Sequence, residues 1–197
     1  MEALAITPSG KTLVGMMQQN LIQDTEKYAR IITIDIATGK THEYPYLLTA
    51  MVSEIIAINE NEFLIYERDG RGLGNGDKAV IKQLYKIDLS KATEIIGGAT
   101  IGKGTTVVTK TIFLDVLAKL NANGITSENV PAKLEGAAFG PDITIKGVKK
   151  HTLFMVNDND FLPKVGGINN PNQFFVFSID ASDLSTFVPQ VITPLVK

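Results

Sequence analysis

Apolar residues along this chain come in short runs, not in long stripes. "EALAI" (2–6), "TLVGMM" (12–17), "RIITIDI" (30–36), "EIIAI" (54–58), "FLIYE" (63–67), "LYKIDL" (84–89), "TLFMV" (152–156) and "FFVFSID" (174–180) are rich in β-branched and aromatic residues. Gly, Pro, Asn and Asp bound them, which is the pattern of β-strands closed by turns. "TPSGK" (7–11) and "ENE" (60–62) are tight-turn material between neighbouring runs.

The runs repeat in order. Each of three segments opens on a glutamate (Glu2, Glu54 and Glu135) followed by a strand and a turn. A second strand then ends in a polar cluster: Gln18-Gln19-Asn20, Glu67-Arg68-Asp69 and Asn157-Asp158-Asn159-Asp160. A third strand ends at Asp35, Asp88 or Asp180, and a weaker fourth follows in "KTHEYPY" (40–46) and "TFVPQVI" (186–192). Four antiparallel strands per repeated unit predict an all-β fold, a partial β-propeller of about three recognisable blades. The units cover about 1–50, 51–96 and 132–197, with an insertion at about 97–131. Inside the insertion, "TIFLDVLAKLNANG" (111–124) carries an apolar stripe at 112, 113, 116, 117 and 120, which predicts one short helix stopped by Asn123-Gly124.

Rings of blades close with about four to eight members. Three blades leave an open strand edge at each end. A portion of a longer chain is the expectation, because Glu2 already stands at a strand start. Association with a second copy is the alternative. The chain begins "MEALAITPSGK", with no basic segment and no long apolar run of a signal peptide.

Composition narrows the function classes. The 197 residues are 44% hydrophobic with a net charge of −2, a globular balance without the basic footprint of a nucleic-acid binder. No apolar stretch is long enough to span a membrane. The absence of cysteine excludes disulfides and thiolate metal sites.

In a propeller the first strand of each blade lines the central channel. First-strand starts and second-strand ends of an antiparallel pair share one end. Glu2, Glu54 and Glu135 are therefore expected near one mouth, beside Gln18, Glu67, Asp69, Asp158 and Asp160. Carboxylates gathered this way need positive compensation. A calcium ion, which takes six to eight oxygen ligands, supplies it, with Glu2, Glu54, Glu135, Asp69, Asp158 and Asp160 as candidate ligands. Were the ligand to carry phosphate, Arg68 and Lys78 are candidate contacts for it. The plainer reading makes Asp and Asn turn formers bonded to their own backbone, and the glutamates a structural ring.

"EALAITPSGKTLVGMMQQNL", "FLIYERDG", "QLYKIDLSKATE", "KLEGAAFGPD", "LFMVNDNDF" and "NPNQFFVFSID" together resemble the successive motifs of the phytase-like family described as "esterase-like activity of phytase". The resemblance departs at Glu2-Ala3, where members have Glu-Gly, and at Pro8-Ser9-Gly10, where they have Pro-Asp-Gly. It implies a propeller-like fold, a periplasmic or extracellular setting, and a hydrolase acting on a phosphate ester or other small molecule at the channel mouth. Glu135, Glu67 and Arg68 are then the candidate catalytic residues, and calcium the implied cofactor. A non-catalytic propeller module for a protein or extracellular ligand is the alternative.

Other motifs fail. "GGATIGKG" (97–104) has Gly104 where a P-loop needs Ser or Thr. "GRGLGNG" (70–76) is followed by a strand-like run and reads as a mobile rim loop. No Gly-x-Ser-x-Gly elbow exists, and His151 after Lys149-Lys150 reads as a solvated hairpin tip. Asn169, Asn170 and Asn172 read as supports for the loop after Phe161.

Overall fold

The computed structural model describes residues 1–95 and 97–191. β1 (Ala3–Ile6), β2 (Thr12–Met16), β3 (Tyr28–Asp35) and β4 (Thr41–Leu47) form the first antiparallel sheet, in that order. β5 (Met51–Ala57), β6 (Glu62–Arg68), β7 (Lys82–Asp88) and β8 (Lys110–Asp115) form the second. β9 (Leu134–Ile145), β10 (Val148–Asn157) and β13 (Phe174–Asp180) form the third, in the order β13-β10-β9. β11 (Lys164–Val165) and β12 (Ile168–Asn169) make a separate ribbon across Gly166-Gly167. β1 lies against β5, and β5 against β9. The opening strands of the three units thus stand side by side, as in successive propeller blades.

Alternation decides what each face buries. Val14, Met16, Ile31 and Tyr46 of the first sheet pack on Ile55, Phe63, Ile65 and Ile87 of the second. The opposite face of the second sheet, Leu64, Tyr66 and Leu84, packs on Leu153, Met155, Phe175 and Phe177 of the third. The second sheet is therefore apolar on both sides, the mark of a layer enclosed between two others.

Three sequence expectations change. The helix, α1, runs only over Val116–Ala122, and residues 110–115 are β8, the fourth strand of the second sheet. Asp115 caps the helix by accepting from the Ala118 amide at 2.8 Å. The run Ile112-Phe113-Leu114 fits either period, and its pairing with β7 decides in favour of the strand. Secondly, the fourth strand expected at 186–192 does not form over 186–191, and residue 192 lies outside the described residues. Instead the Val188 amide donates to Ile58 O at 2.8 Å, and Phe187 stacks on Phe139. Thirdly, the 70–76 loop is tied down: Leu73 exchanges backbone hydrogen bonds of 2.8 Å with Val130 and Ala132. Gly72 is required there, since its φ is +126° and a Cβ would stand 2.1 Å from Val130 O.

Candidate functional site

One rim of the sheets, where β6 and β10 end and β9 begins, holds most of the charged residues singled out above. Arg68, the last residue of β6, donates through Nη2 to Glu135 Oε1. Lys133 precedes β9, and its ammonium meets three carboxylates. They are Asp160 Oδ1 at 2.5 Å, Asp158 Oδ2 at 3.6 Å and Glu135 Oε1 at 4.0 Å. Asp158 Oδ1 also accepts from the Asp160 amide at 2.8 Å, so the acidic run is both a local turn and a cradle for Lys133. The bond that Lys133 donates to Asp160 holds its ammonium above the ordinary lysine range, although burial opposes it.

Asp69 continues the same cluster. It accepts from the Val80 and Ile81 amides at 2.7 and 2.9 Å and from Lys82 Nζ at 3.0 Å. Burial alone would raise the Asp69 carboxyl, but these bonds hold it below its usual range. Lys82 is fully buried, and its ammonium also donates to Asp69 O at 2.8 Å and Ala132 O at 2.9 Å. Desolvation still pulls it down to about 8, against the pull of Asp69. The Tyr66 hydroxyl and Arg68 Nε are buried without a hydrogen-bond partner beside this network.

Glu67 points the other way, as alternation along β6 requires. Its fully buried carboxylate accepts from Tyr46 Oη at 2.6 Å and from the Thr49 and Ala50 amides at 2.6 and 2.7 Å. It also accepts from Lys110, whose ammonium stands 4.1 Å from the Tyr85 ring centre and 4.6 Å from that of Tyr46. Glu67 thus anchors the link between the first and second sheets, on the face of the second sheet opposite Glu135.

The opening strands line a groove of about 560 Å³. Its walls are Leu4 and Ile6 of β1, Ile56 of β5, Ala138 and Phe139 of β9, and Phe187. Glu54 stands among them. Its Oε1 accepts from the Ile55 amide at 3.0 Å, and the Ala137 amide also donates to the carboxyl. Desolvation outweighs both bonds and raises the Glu54 carboxyl above the ordinary glutamate value.

Glu2 is exposed before β1, where only its amide is engaged, with Met16 O at 2.9 Å. Glu2, Glu54 and Glu135 share no hydrogen-bond partner among the described residues. Nor do three or more His, Asp or Glu side chains there form a group able to hold a metal ion. Of the predicted set, Glu135, Arg68, Asp69, Asp158 and Asp160 meet in one charged network, while Glu2, Glu54 and Glu67 lie outside it. Lys78 pairs with Glu128 at 2.7 Å on the surface.

Sequence reading missed the three lysines that compensate these acids: Lys82, Lys110 and Lys133. Lys82 carried a signal, a cation opening an alternating strand at a core-facing position. His151 also differs from expectation. It is buried, with Nδ1 2.7 Å from Asp142 Oδ1 and its ring edge-on to Phe187 at 4.8 Å. Asn170 does support the loop, donating through Nδ2 to Leu162 O at 3.1 Å and Asn159 O at 3.3 Å. No described helix is long and apolar enough to cross a membrane.

Residues 1–161 match the family described as "Phytase-like: Esterase-like activity of phytase". No curated protein and no solved structure matches the chain.

Proposed function

The chain belongs to the phytase-like family, and on that premise we propose that it is a hydrolase acting on a phosphate ester at the charged rim. The observation that carries the reading is the row Arg68–Glu135–Lys133, in which a carboxylate is held between two cations where β9 starts. Lys133, partly open to solvent, supplies charge for a phosphate group, and Asp158 and Asp160 fix its position. Glu135 takes the proton of a water that attacks phosphorus, and the ester P–O bond breaks as the alcohol leaves and takes a proton from solvent. Arg68 orients Glu135. The resemblance also implies calcium. Here the place that such an ion would take among Glu135, Asp158 and Asp160 is filled by the Lys133 ammonium. An exported setting, periplasmic or extracellular, goes with this reading.

The test is hydrolysis of p-nitrophenyl phosphate and of inositol hexakisphosphate by the purified chain. Glu135→Gln, whose amide oxygen can still accept from Arg68, should lower kcat at least tenfold in a variant that circular dichroism reports as folded. Equal activity in the variant and the native chain sinks the assignment. A second reading, a ligand-binding module, is favoured by the groove, which has apolar walls and a single acidic group. Saturable binding of a small amphipathic ligand, lost in Glu54→Lys but kept in Glu135→Gln, would select it.

A further inference from the structure

Lys82 opens β7 directly opposite Arg68, the last residue of β6. Residues paired in this way share a face, and like charges so placed repel. Both are withdrawn from water, Lys82 completely and Arg68 to 4% exposure. A buried ion pair is often no better for stability than well-packed apolar residues of similar volume. Stability alone is a poor reason for an ammonium at this place.

The bonds of Lys82 give a better reason. Its Nζ donates to Asp69 O at 2.8 Å and to Ala132 O at 2.9 Å. Asp69 is the residue after Arg68, and the Ala132 carbonyl belongs to the peptide unit that carries the Lys133 amide. One ammonium therefore grips the chain beside each of the two cations that flank Glu135. The third bond, to Asp69 Oδ1 at 3.0 Å, answers its charge. Other bonds of the same stretch lead elsewhere. The Ala132 amide donates to Leu73 O at 2.8 Å, in the 70–76 loop. Lys133 O accepts from the Asp158 amide at 2.9 Å, at the end of the third sheet. Lys82 is what fastens the backbone before β9 to the rim of the second sheet.

We infer that Lys82 is a positioning residue of the rim: it sets the spacing between Arg68 and Lys133, and so the place of the Lys133 ammonium relative to the Glu135 carboxylate. This role rests on the reading of the rim as the site of a phosphate-ester hydrolase. Fully buried, Lys82 acts through two backbone carbonyls and not by touching substrate. A shift of about 1 Å in a reacting group costs on the order of 100-fold in rate. An apolar side chain fills the same space but donates to neither carbonyl, so it cannot hold that spacing.

The double variant Asp69→Asn/Lys82→Met separates position from stability. It removes the tie and both charges together, while the asparagine oxygen still accepts from the Val80 and Ile81 amides. Its urea midpoint should stay close to the native one. Its kcat on p-nitrophenyl phosphate should fall about tenfold or more, with KM moving less than about threefold, because a displaced ammonium still attracts phosphate. Crystal structures of the native and variant chains should show the Arg68 and Lys133 Cα atoms about 1 Å farther apart in the variant. Should the double variant fail to fold, as judged by circular dichroism, Lys82→Met alone is read in the same way. Native kcat in the variant overturns the inference, as does a loss carried by KM or an unchanged Cα separation. If the native chain hydrolyses no phosphate ester, the hydrolase reading falls, and the Cα separation alone decides whether Lys82 sets the spacing.

Discussion

Glu54 and Glu135 open equivalent units of the repeat, yet the protein settles their charge in opposite ways. Glu135 meets Arg68 and Lys133 at the rim and belongs to a network in which every acid has a basic partner. Glu54 stands in the groove with two backbone amides and, among the described residues, no ion pair, and desolvation raises its carboxyl. One carboxyl is matched by a fixed cation and the other is pushed toward its protonated form. A repeat copies a backbone position, but the residues on the neighbouring sheet decide which chemistry the position acquires.

The largest effect expected comes from unbalancing the rim. Asp69→Ala leaves the fully buried Lys82 ammonium with carbonyl partners alone, and removing one member of a buried pair costs roughly 3–5 kcal/mol. Urea titration should show the loss, and adding Lys82→Met should restore most of it. If the single variant keeps its midpoint, the network is not what neutralises the rim.

Next is Lys133→Met, which leaves Glu135, Asp158 and Asp160 without their shared cation. Millimolar calcium should then raise the melting temperature of the variant by about 2–4 °C, the equivalent of ~1 kcal/mol in a chain of this size, with no rise in the native protein. A calcium response in the native chain would show that the lysine does not occupy the cation position.

Glu54→Gln should give a smaller change of opposite sign. The folded carboxyl lies above its ordinary 4.5, so the folded state holds the extra proton. Stability contributed by the group therefore falls as pH rises from the unfolded to the folded value, and is flat beyond. The glutamine variant should lack this slope and be the more stable protein at neutral pH. Lys78→Ala should change nothing measurable, because Lys78 and Glu128 are solvated surface residues.

Much of this fold was legible, because it rests on local signals. Period-two runs and turn residues marked most strands of the three sheets and the shared end of Glu135 with Asp158 and Asp160. The opposite directions of Glu67 and Arg68 followed from alternation alone. The compensation was not legible. Lys133 reaches Asp160, Lys110 reaches Glu67, and Lys82 reaches the carbonyl of Ala132, each across a distance in sequence that no local pattern encodes. A cluster of acids therefore suggested a metal, while the cations that answer it, Lys133 at the head of "KLEGAAFGPD" among them, carried no local sign of their partners. The boundary between β8 and α1 failed for a related reason: the strand is recognised by its partner, not by its own residues.

Residues 186–188, expected as a strand, instead run back to the middle sheet. Thr186 donates to Glu62, Asn59 Nδ2 donates to Thr186 O, and the Val188 amide donates to Ile58 O. The last part of the described chain is thus fastened to an earlier unit, like the tail of a belt passed through its own buckle. Stacked repeats ordinarily lose their end members first, since each touches only its neighbours. With the tail so fastened, the third sheet cannot peel away until contacts on the second also break, and the two should melt as one cooperative block.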